Sequence, residues 1–184
     1  ESAYAAYDPA QANSLLDEMG FTKKGADGFR LRADGETLAI TIDFASGIFG
    51  PWADVLEMVK KYYEAVGVKV AIRPLERTLY TARTTAGEIE IGIWSFDRNA
   101  AVISDPSRLL GTMADGPWAP LYGQWYNTGG EAGEKPPEGS DIAKIHELWD
   151  AVKVTADADK QNALFQEIVS LHKKNLWYIG TVGE

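Results

Sequence analysis

The hydrophobic period between residues 38 and 93 switches repeatedly, and this alternation constrains the fold more than any other feature of the sequence. Apolar positions alternate with more polar ones in 38–44, 68–72 and 89–93, which is the period of a strand. The stretches between them, about 52–66 and 78–86, carry apolar residues at helical spacing. Because these crossovers are long enough for parallel pairing, the order predicts a right-handed βαβαβ unit.

Further helices are predicted on both sides of this unit. The first begins at Asp8 and Pro9, which suit an N-cap and a first helical turn, and it stops at Gly20. Two more helices close the chain, one over about 142–154 and one that starts near Asp157. The sequence therefore predicts an α/β fold with flanking helices.

The segment from about residue 99 to residue 141 shows little periodicity. It is rich in glycine and proline, yet it also contains aromatic residues such as Trp118 and Trp125. Aromatic residues are depleted in disordered segments, so we expect an ordered excursion. Its exposed part is predicted at Gly129–Gly139, where glycine and glutamate dominate.

Composition excludes several classes of partner. The net charge of −9 and the pI of about 4.8 repel nucleic acid and anionic membranes. The absence of cysteine excludes a disulfide scaffold, a thiolate zinc site and a cysteine nucleophile. No apolar run approaches the ~20 residues that cross a bilayer, so no membrane insertion is expected. Because the first residue is Glu1 and not methionine, we expect a piece of a larger protein.

The motifs of common active sites are missing from the sequence. Neither a Gly-x-Ser-x-Gly elbow nor a phosphate loop occurs. His146 and Glu147 begin a zinc-protease motif, but Asp150 stands where its second histidine belongs. We therefore predict no catalytic residue, no metal and no cofactor, and an enzyme with an acidic pair is kept only as an alternative.

A series of short motifs in a fixed order is more informative than any one of them. They are Tyr7–Phe21, Asp34-Gly35 before the first strand, Val66–Val70, Glu90–Trp94 and Asn175–Gly180. Their order and spacing resemble the oligopeptide- and dipeptide-binding proteins of ABC importers, family 5 of the bacterial extracellular solute-binding proteins. The resemblance covers nearly the whole chain.

This resemblance implies an architecture and a function. Residues 1–184 would form a single lobe, the C-terminal one of a type II (cluster C) periplasmic-binding-protein clamshell, with a βαβαβ mixed sheet and flanking helices. It implies a solute, above all an oligopeptide, held between lobes without chemistry and passed to the permease subunits of an ABC importer. An oligosaccharide ligand is the alternative within the family. The implied location is periplasmic or extracytoplasmic, with a lipid anchor as one form of the parent protein.

The family's Trp-x-x-Asp motif at the end of the third strand corresponds to Trp94-Ser95-Phe96-Asp97. The resemblance implies that Asp97 pairs with a peptide's α-ammonium group, while Trp94 and Phe96 help to wall the pocket. Arg98 follows directly and is kept as a candidate ligand-binding residue, although it is also close enough in sequence to neutralise Asp97. The usual Asp-Pro pair arrives late, which makes Asp105 an alternative cleft carboxylate.

Other aromatic residues have two interpretations. Trp118 and Trp125 either stack on a ligand or pack the long segment around them, and both are kept as candidate ligand-binding residues. Gly129–Gly139 allows a different class of function, since an acidic exposed loop is also typical of a protein-docking surface.

Overall fold

The computed structural model describes residues 6–48, 50–95, 103, 105–116 and 118–180. Contacts within the chain divide it into two compact units. Unit 1 comprises Glu1–Tyr80 and Ile89–Trp94, and unit 2 comprises Thr81–Glu88 and Ser95–Glu184. That both units belong to one lobe stays a prediction.

Unit 1 is built on a small parallel sheet in the order β2-β1-β3. Ile42 of the central strand lies opposite Ile72 and Ile91 of its neighbours. Antiparallel pairing in the described residues is confined to two isolated bridges outside the strands. The predicted α/β fold class is confirmed. In chain order the elements are α1 Pro9–Glu18, β1 Ala39–Ala45, α2 Trp52–Ala65, β2 Lys69–Leu75, α3 Arg77–Thr85 and β3 Ile91–Ile93.

The two faces of β1 bury different side chains because successive residues of a strand point to opposite sides. Ile42 and Phe44 pack with Val70 and with Leu56 of α2, and all four are buried. On the opposite face, Ala45 packs with two buried residues of β2 and α3. Removing Leu56 from water stabilises this packing by roughly 2 kcal/mol.

Helix α1 contains no buried side chain and is fixed by polar contacts. Arg30, only 3% exposed, donates from Nε to the Val66 carbonyl at 2.8 Å and from Nη2 to Asn13 Oδ1 at 2.7 Å. It also pairs with the Asp17 carboxylate. Gly67 leaves room for this arginine, since its φ is +88° and a Cβ there would lie 2.9 Å from Arg30 Cγ. A buried arginine thus ties α1 to the end of α2.

Unit 2 contains four helices in its described residues: α4 Ser107–Leu110, α5 Pro120–Thr128, α6 Asp141–Val154 and α7 Ala158–Asn175. The two long helices begin with side-chain caps, because Ser140 accepts from the Ala143 N–H and Asp157 from the Lys160 N–H. The core comprises Leu110, Ile145, Leu148, Phe165 and Ile168.

The predicted excursion is described over residues 103, 105–116 and 118–141, and these residues contain two helices, α4 and α5, that were not predicted. The predicted exposed part is confirmed over residues 129–135, whereas Pro136 within it is buried. Of the helices that the structure describes, none combines the length and the apolar character needed to cross a membrane.

Candidate functional site

The carboxyl edge of the parallel sheet is the first place to look for a site, because open α/β sheets bind ligands there. Ser46 follows β1 and donates from its N–H and its hydroxyl to the Leu75 carbonyl, at 2.9 and 3.1 Å. Glu76 follows β2 and accepts the Thr78 N–H at 2.7 Å. This bond holds the pKa of the exposed Glu76 carboxyl below its ordinary value. Both residues therefore shape the strand ends, and Glu76 begins α3.

Trp94 follows β3 directly and is half-buried. Its ring is stacked on Tyr80 with centroids 5.5 Å apart and planes 14° apart. Tyr80 is 3% exposed and donates its hydroxyl to the Ile93 carbonyl at 3.1 Å. Gly92 makes room for this tyrosine, since a Cβ there would lie 2.6 Å from the hydroxyl oxygen. The buried and hydrogen-bonded ring of Tyr80 thus supports one face of Trp94 and holds its orientation.

Tyr80 is a supporting residue whose place in the sequence, at a helical position, indicates only packing. The signal was Gly92, whose missing side chain leaves space next to a strand end. A neighbouring charged pair stiffens the same sheet, because Asp43 is fully buried and binds Arg73 through both carboxylate oxygens. These contacts fix side chains close to the carboxyl edge, and a binding site needs such supporting contacts around it.

The described residues do not include Phe96, Asp97 and Arg98. Of the side chains that the Trp-x-x-Asp prediction assigns to the pocket, the structure therefore places only Trp94. The alternative carboxylate, Asp105, is half-buried and accepts the Ser107 hydroxyl at 2.9 Å at the start of α4.

Trp118 belongs to unit 2 and packs against its core. Its indole N–H donates to the Arg108 carbonyl at 2.7 Å, and its ring is stacked on Trp177 at 4.9 Å. Trp125 lies half-buried in α5, and the Gly130 N–H donates to its carbonyl at 2.9 Å. Packing accounts for the contacts of Trp118, and the ligand role of both tryptophans stays a prediction.

Both histidines are held inside unit 2 by backbone carbonyls. His146 Nε2 lies 3.2 Å from the Gly111 oxygen, and His172 Nε2 lies 2.6 Å from the Leu109 oxygen. Burial lowers the pKa of each imidazole. Within the described part of the chain, no cluster of three or more histidine, aspartate or glutamate side chains is placed to hold a metal ion.

Unit 2 has two other features that are typical of sites. The Tyr126 hydroxyl binds Asp150 and accepts from Lys153 at 2.7 Å, and desolvation with the Asp150 carboxylate raises the pKa of this phenol. This contact joins α5 to α6. A shallow cavity of about 200 Å³ lies beside Leu121 and Glu134. It is smaller than the ~300 Å³ typical of ligand pockets, so the sheet edge remains the better candidate.

Known proteins resemble this chain in sequence and in fold. The family model described as bacterial extracellular solute-binding proteins, family 5 Middle, matches residues 1–120. The oligopeptide-binding protein OppA is 35% identical with a TM-score of 0.79, over 96% of this chain and 29% of that one. NikA from Brucella suis, solved in complex with Fe(III)-EDTA, is 25% identical with a TM-score of 0.66, over 92% of this chain and 31% of that one.

A more distant structure shares the fold. The periplasmic binding protein MelB from Agrobacterium fabrum C58, in complex with stachyose, has a TM-score of 0.71 at 17% identity, over 96% of this chain and 26% of that one. The chain therefore spans less than a third of the length of these solved structures. No curated protein matched the sequence significantly.

Proposed function

This chain belongs to the bacterial extracellular solute-binding proteins of family 5, and from that membership we propose that it forms part of the substrate-binding component of an ABC importer. The observation that carries the proposal is the position of Trp94. It follows a parallel strand at the carboxyl edge of the sheet, on a buried tyrosine. The proposed setting is extracytoplasmic, with permease subunits as the partners of the complete protein.

We propose an oligopeptide as the ligand. The 35% identity with the oligopeptide-binding protein OppA over nearly the whole chain supports this choice. In this proposal Asp97 receives the peptide's α-ammonium group, because a charge-assisted hydrogen bond in a desolvated cleft is strong and directional. MelB, whose ligand is stachyose, is 17% identical and supports only the fold, so an oligosaccharide is the second candidate.

The proposed mechanism is reversible capture. Trp94 contributes a flat apolar surface that is already oriented before the ligand arrives, which lowers the entropy lost on binding. A second part of the full-length protein closes over the ligand, and the permease recognises the closed form. The ligand is released chemically unchanged.

The test is calorimetric titration of the full-length protein with short peptides, with the same peptides acetylated at the N-terminus, and with stachyose. Trp94→Ala should weaken peptide binding about 5- to 30-fold, the equivalent of ~1–2 kcal/mol for a lost aromatic contact. Trp94→Phe keeps a ring on Tyr80 and should lose less. Tyr62→Ala, a change at an exposed ring of α2, is the matched control and should bind as the wild type.

The acetylated peptides test the carboxylate separately. Blocking the α-ammonium group should weaken binding at least tenfold in the wild type and little in Asp97→Asn. Binding of stachyose with no binding of peptides would overturn the peptide assignment and leave the solute-binding role intact. Conversion of any titrated compound to a product would contradict the binding role itself.

A further inference from the structure

The short helix α4 is held by aromatic N–H groups from three other places in unit 2. The last carbonyls of a helix have no partner within it and need donors from elsewhere. Trp118 donates to the Arg108 carbonyl at 2.7 Å. His172 of α7 contacts the Leu109 carbonyl at 2.6 Å, and His146 of α6 contacts the carbonyl of Gly111 at 3.2 Å. Leu110 also packs in the core, but two of the three donors that hold the end of α4 are titratable rings.

The contacts also fix the protonation of both rings. Because each Nε2 faces a carbonyl oxygen, Nε2 must carry the proton, and the neutral ring keeps a lone pair on Nδ1. The Nδ1 atoms of His146 and His172 are buried and have no hydrogen-bond partner in the described part of the protein. A second proton on either ring would create a buried charge with an N–H that nothing in the described structure accepts, which is unfavourable.

The surroundings of His172 are aromatic and basic. Its ring stacks on Tyr178 at 5.8 Å and meets the edges of Trp118 and Trp177 at 5.0 and 5.2 Å. The buried Arg108 of α4 acts electrostatically on Tyr178.

The charges nearest to His172 in sequence lie on its own helix. On α7, Lys173 is exposed and Lys174 pairs with Asp141 of α6 at 2.8 Å. The influences on the pKa of His172 are burial, which lowers it, and the Leu109 carbonyl, which raises it. The positive charge of an imidazolium at His172 would therefore have little electrostatic compensation from its surroundings.

His146 has a carboxylate nearby. The Tyr126 ring lies 4.7 Å away, and Asp150 follows one turn later on α6. The charge of Asp150 favours protonation of His146, although burial outweighs it and the pKa is lowered. Lys153 pairs with Asp150 at 2.6 Å and neutralises part of the carboxylate's charge. Of the two rings, His172 is therefore the less tolerant of a second proton.

We propose that α4 and its aromatic donors form an acid-sensitive latch in unit 2, closed while both histidines are neutral and opened by their protonation. In the open form the imidazolium groups reach water and the Leu109 and Gly111 carbonyls are released. The sign follows from linkage, since a lowered pKa in the closed form means that protons favour the open form as pH falls below ~6.5. The proposal does not depend on which ligand the protein binds.

The size of the effect is bounded by the same linkage. With an open-state pKa of ~6.5, lowering the pH from 7.0 to 5.5 raises the opening equilibrium at most about 8-fold for one histidine and about 70-fold for two. Less than these limits is expected for His146, because Asp150 compensates part of its charge.

Hydrogen exchange of the 184-residue chain by NMR measures this opening directly. The probes are the Trp118 indole N–H and the Leu109 amide, which donates to the Pro106 carbonyl at 2.8 Å. The references are the amides of Ile145 and Ile168, fully buried in α6 and α7. After correction for intrinsic rates, protection of the probes should fall more than tenfold from pH 7.0 to 5.5.

Local opening must also be distinguished from unfolding of the whole unit. At both pH values the probes should be less protected than the references, and low urea concentrations should speed exchange of the references only. Equal protection of probes and references, or probe protection that does not change with pH, would overturn the proposal.

Two substitutions assign the effect to the histidines. His172→Gln and His146→Gln each keep an N–H donor for the carbonyl but cannot take up a proton in this range. The His172 change should remove more of the pH response than the His146 change, and both together should abolish it. A wild-type pH response in the double variant would refute the latch. If a variant fails to fold, the comparison of probes and references in the wild type still decides.

Discussion

Replacing Arg30 with methionine tests how a helix without buried side chains stays attached. Methionine has similar length and fills part of the same space, but it cannot donate hydrogen bonds. The substitution removes the donors to the Val66 and Phe21 carbonyls and to the side chains of Asn13 and Asp17. Asp17 is 54% exposed and regains water, so the loss falls mainly on the two carbonyls.

The magnitude follows from those carbonyls. Each buried acceptor left without a partner costs about 1–3 kcal/mol. Part of this is offset, because a buried guanidinium group no longer has to be desolvated. We expect the free energy of unfolding to fall by about 3 kcal/mol, which lowers Tm by roughly 6–12 °C in a chain of this size.

The assay is urea unfolding at pH 7 with circular dichroism, on the 184-residue chain. Arg32→Met is the matched control, because Arg32 pairs with Asp34 at the surface, with both side chains more than half exposed. Exposed pairs contribute about 0–1 kcal/mol, so the control should change little. A loss below 1 kcal/mol for Arg30→Met, or an equal loss in the control, would refute the anchoring role of the buried arginine.

Two other substitutions test close packing and buried charge. In urea unfolding, Gly133→Ala should destabilise unit 2 by more than 2 kcal/mol beyond the control Gly139→Ala, which is about the size of an overpacking defect. The reason is that a Cβ at Gly133 would lie 2.2 Å from the Leu121 carbonyl oxygen, while Gly139 has open space at a similar φ. Equal losses would contradict the steric argument. Asp43→Asn should cost about 3 kcal/mol because it removes the buried negative charge that faces the Arg73 guanidinium group, although Arg73 is 38% exposed and partly hydrated. A urea midpoint within error of the wild type would disprove this.

The elements that sequence reasoning predicted are those determined by local pattern. The strands and the long helices α2, α6 and α7 have clear periods, and Ser140 and Asp157 cap α6 and α7. The strand order β2-β1-β3 was not predictable in this way, because periodicity does not identify a strand's neighbours.

The features that were missed depend on contacts between residues far apart in sequence. Helix α5 contains Gly123, an unfavourable residue for a helix, yet a Cβ there would lie 2.5 Å from the Met113 carbonyl oxygen. That close approach requires glycine for a reason outside the helix itself. The buried position of Arg30 gives no local signal for the same reason, since its acceptors come from three separate segments.

The candidate site was predicted only in part. Open α/β sheets bind ligands beyond the carboxyl ends of their strands, which predicts a site at the residues after Ile93, and Trp94 does follow β3 there. For Trp118, the sequence left both packing and ligand contact open, because its stacking partner Trp177 lies in a distant segment. No local pattern reveals such a pair.

The division of the chain also restricts how the protein can be shortened or synthesised. Unit 1 ends at Tyr80 and needs Ile89–Trp94 to complete its sheet. The intervening residues, Thr81–Glu88, belong to unit 2. A chain truncated after Tyr80 would lack β3 and expose one edge of β1, which invites pairing with other molecules. During synthesis on the ribosome, β1 likewise cannot pair with β3 until Thr81–Glu88, which belong to unit 2, have been made.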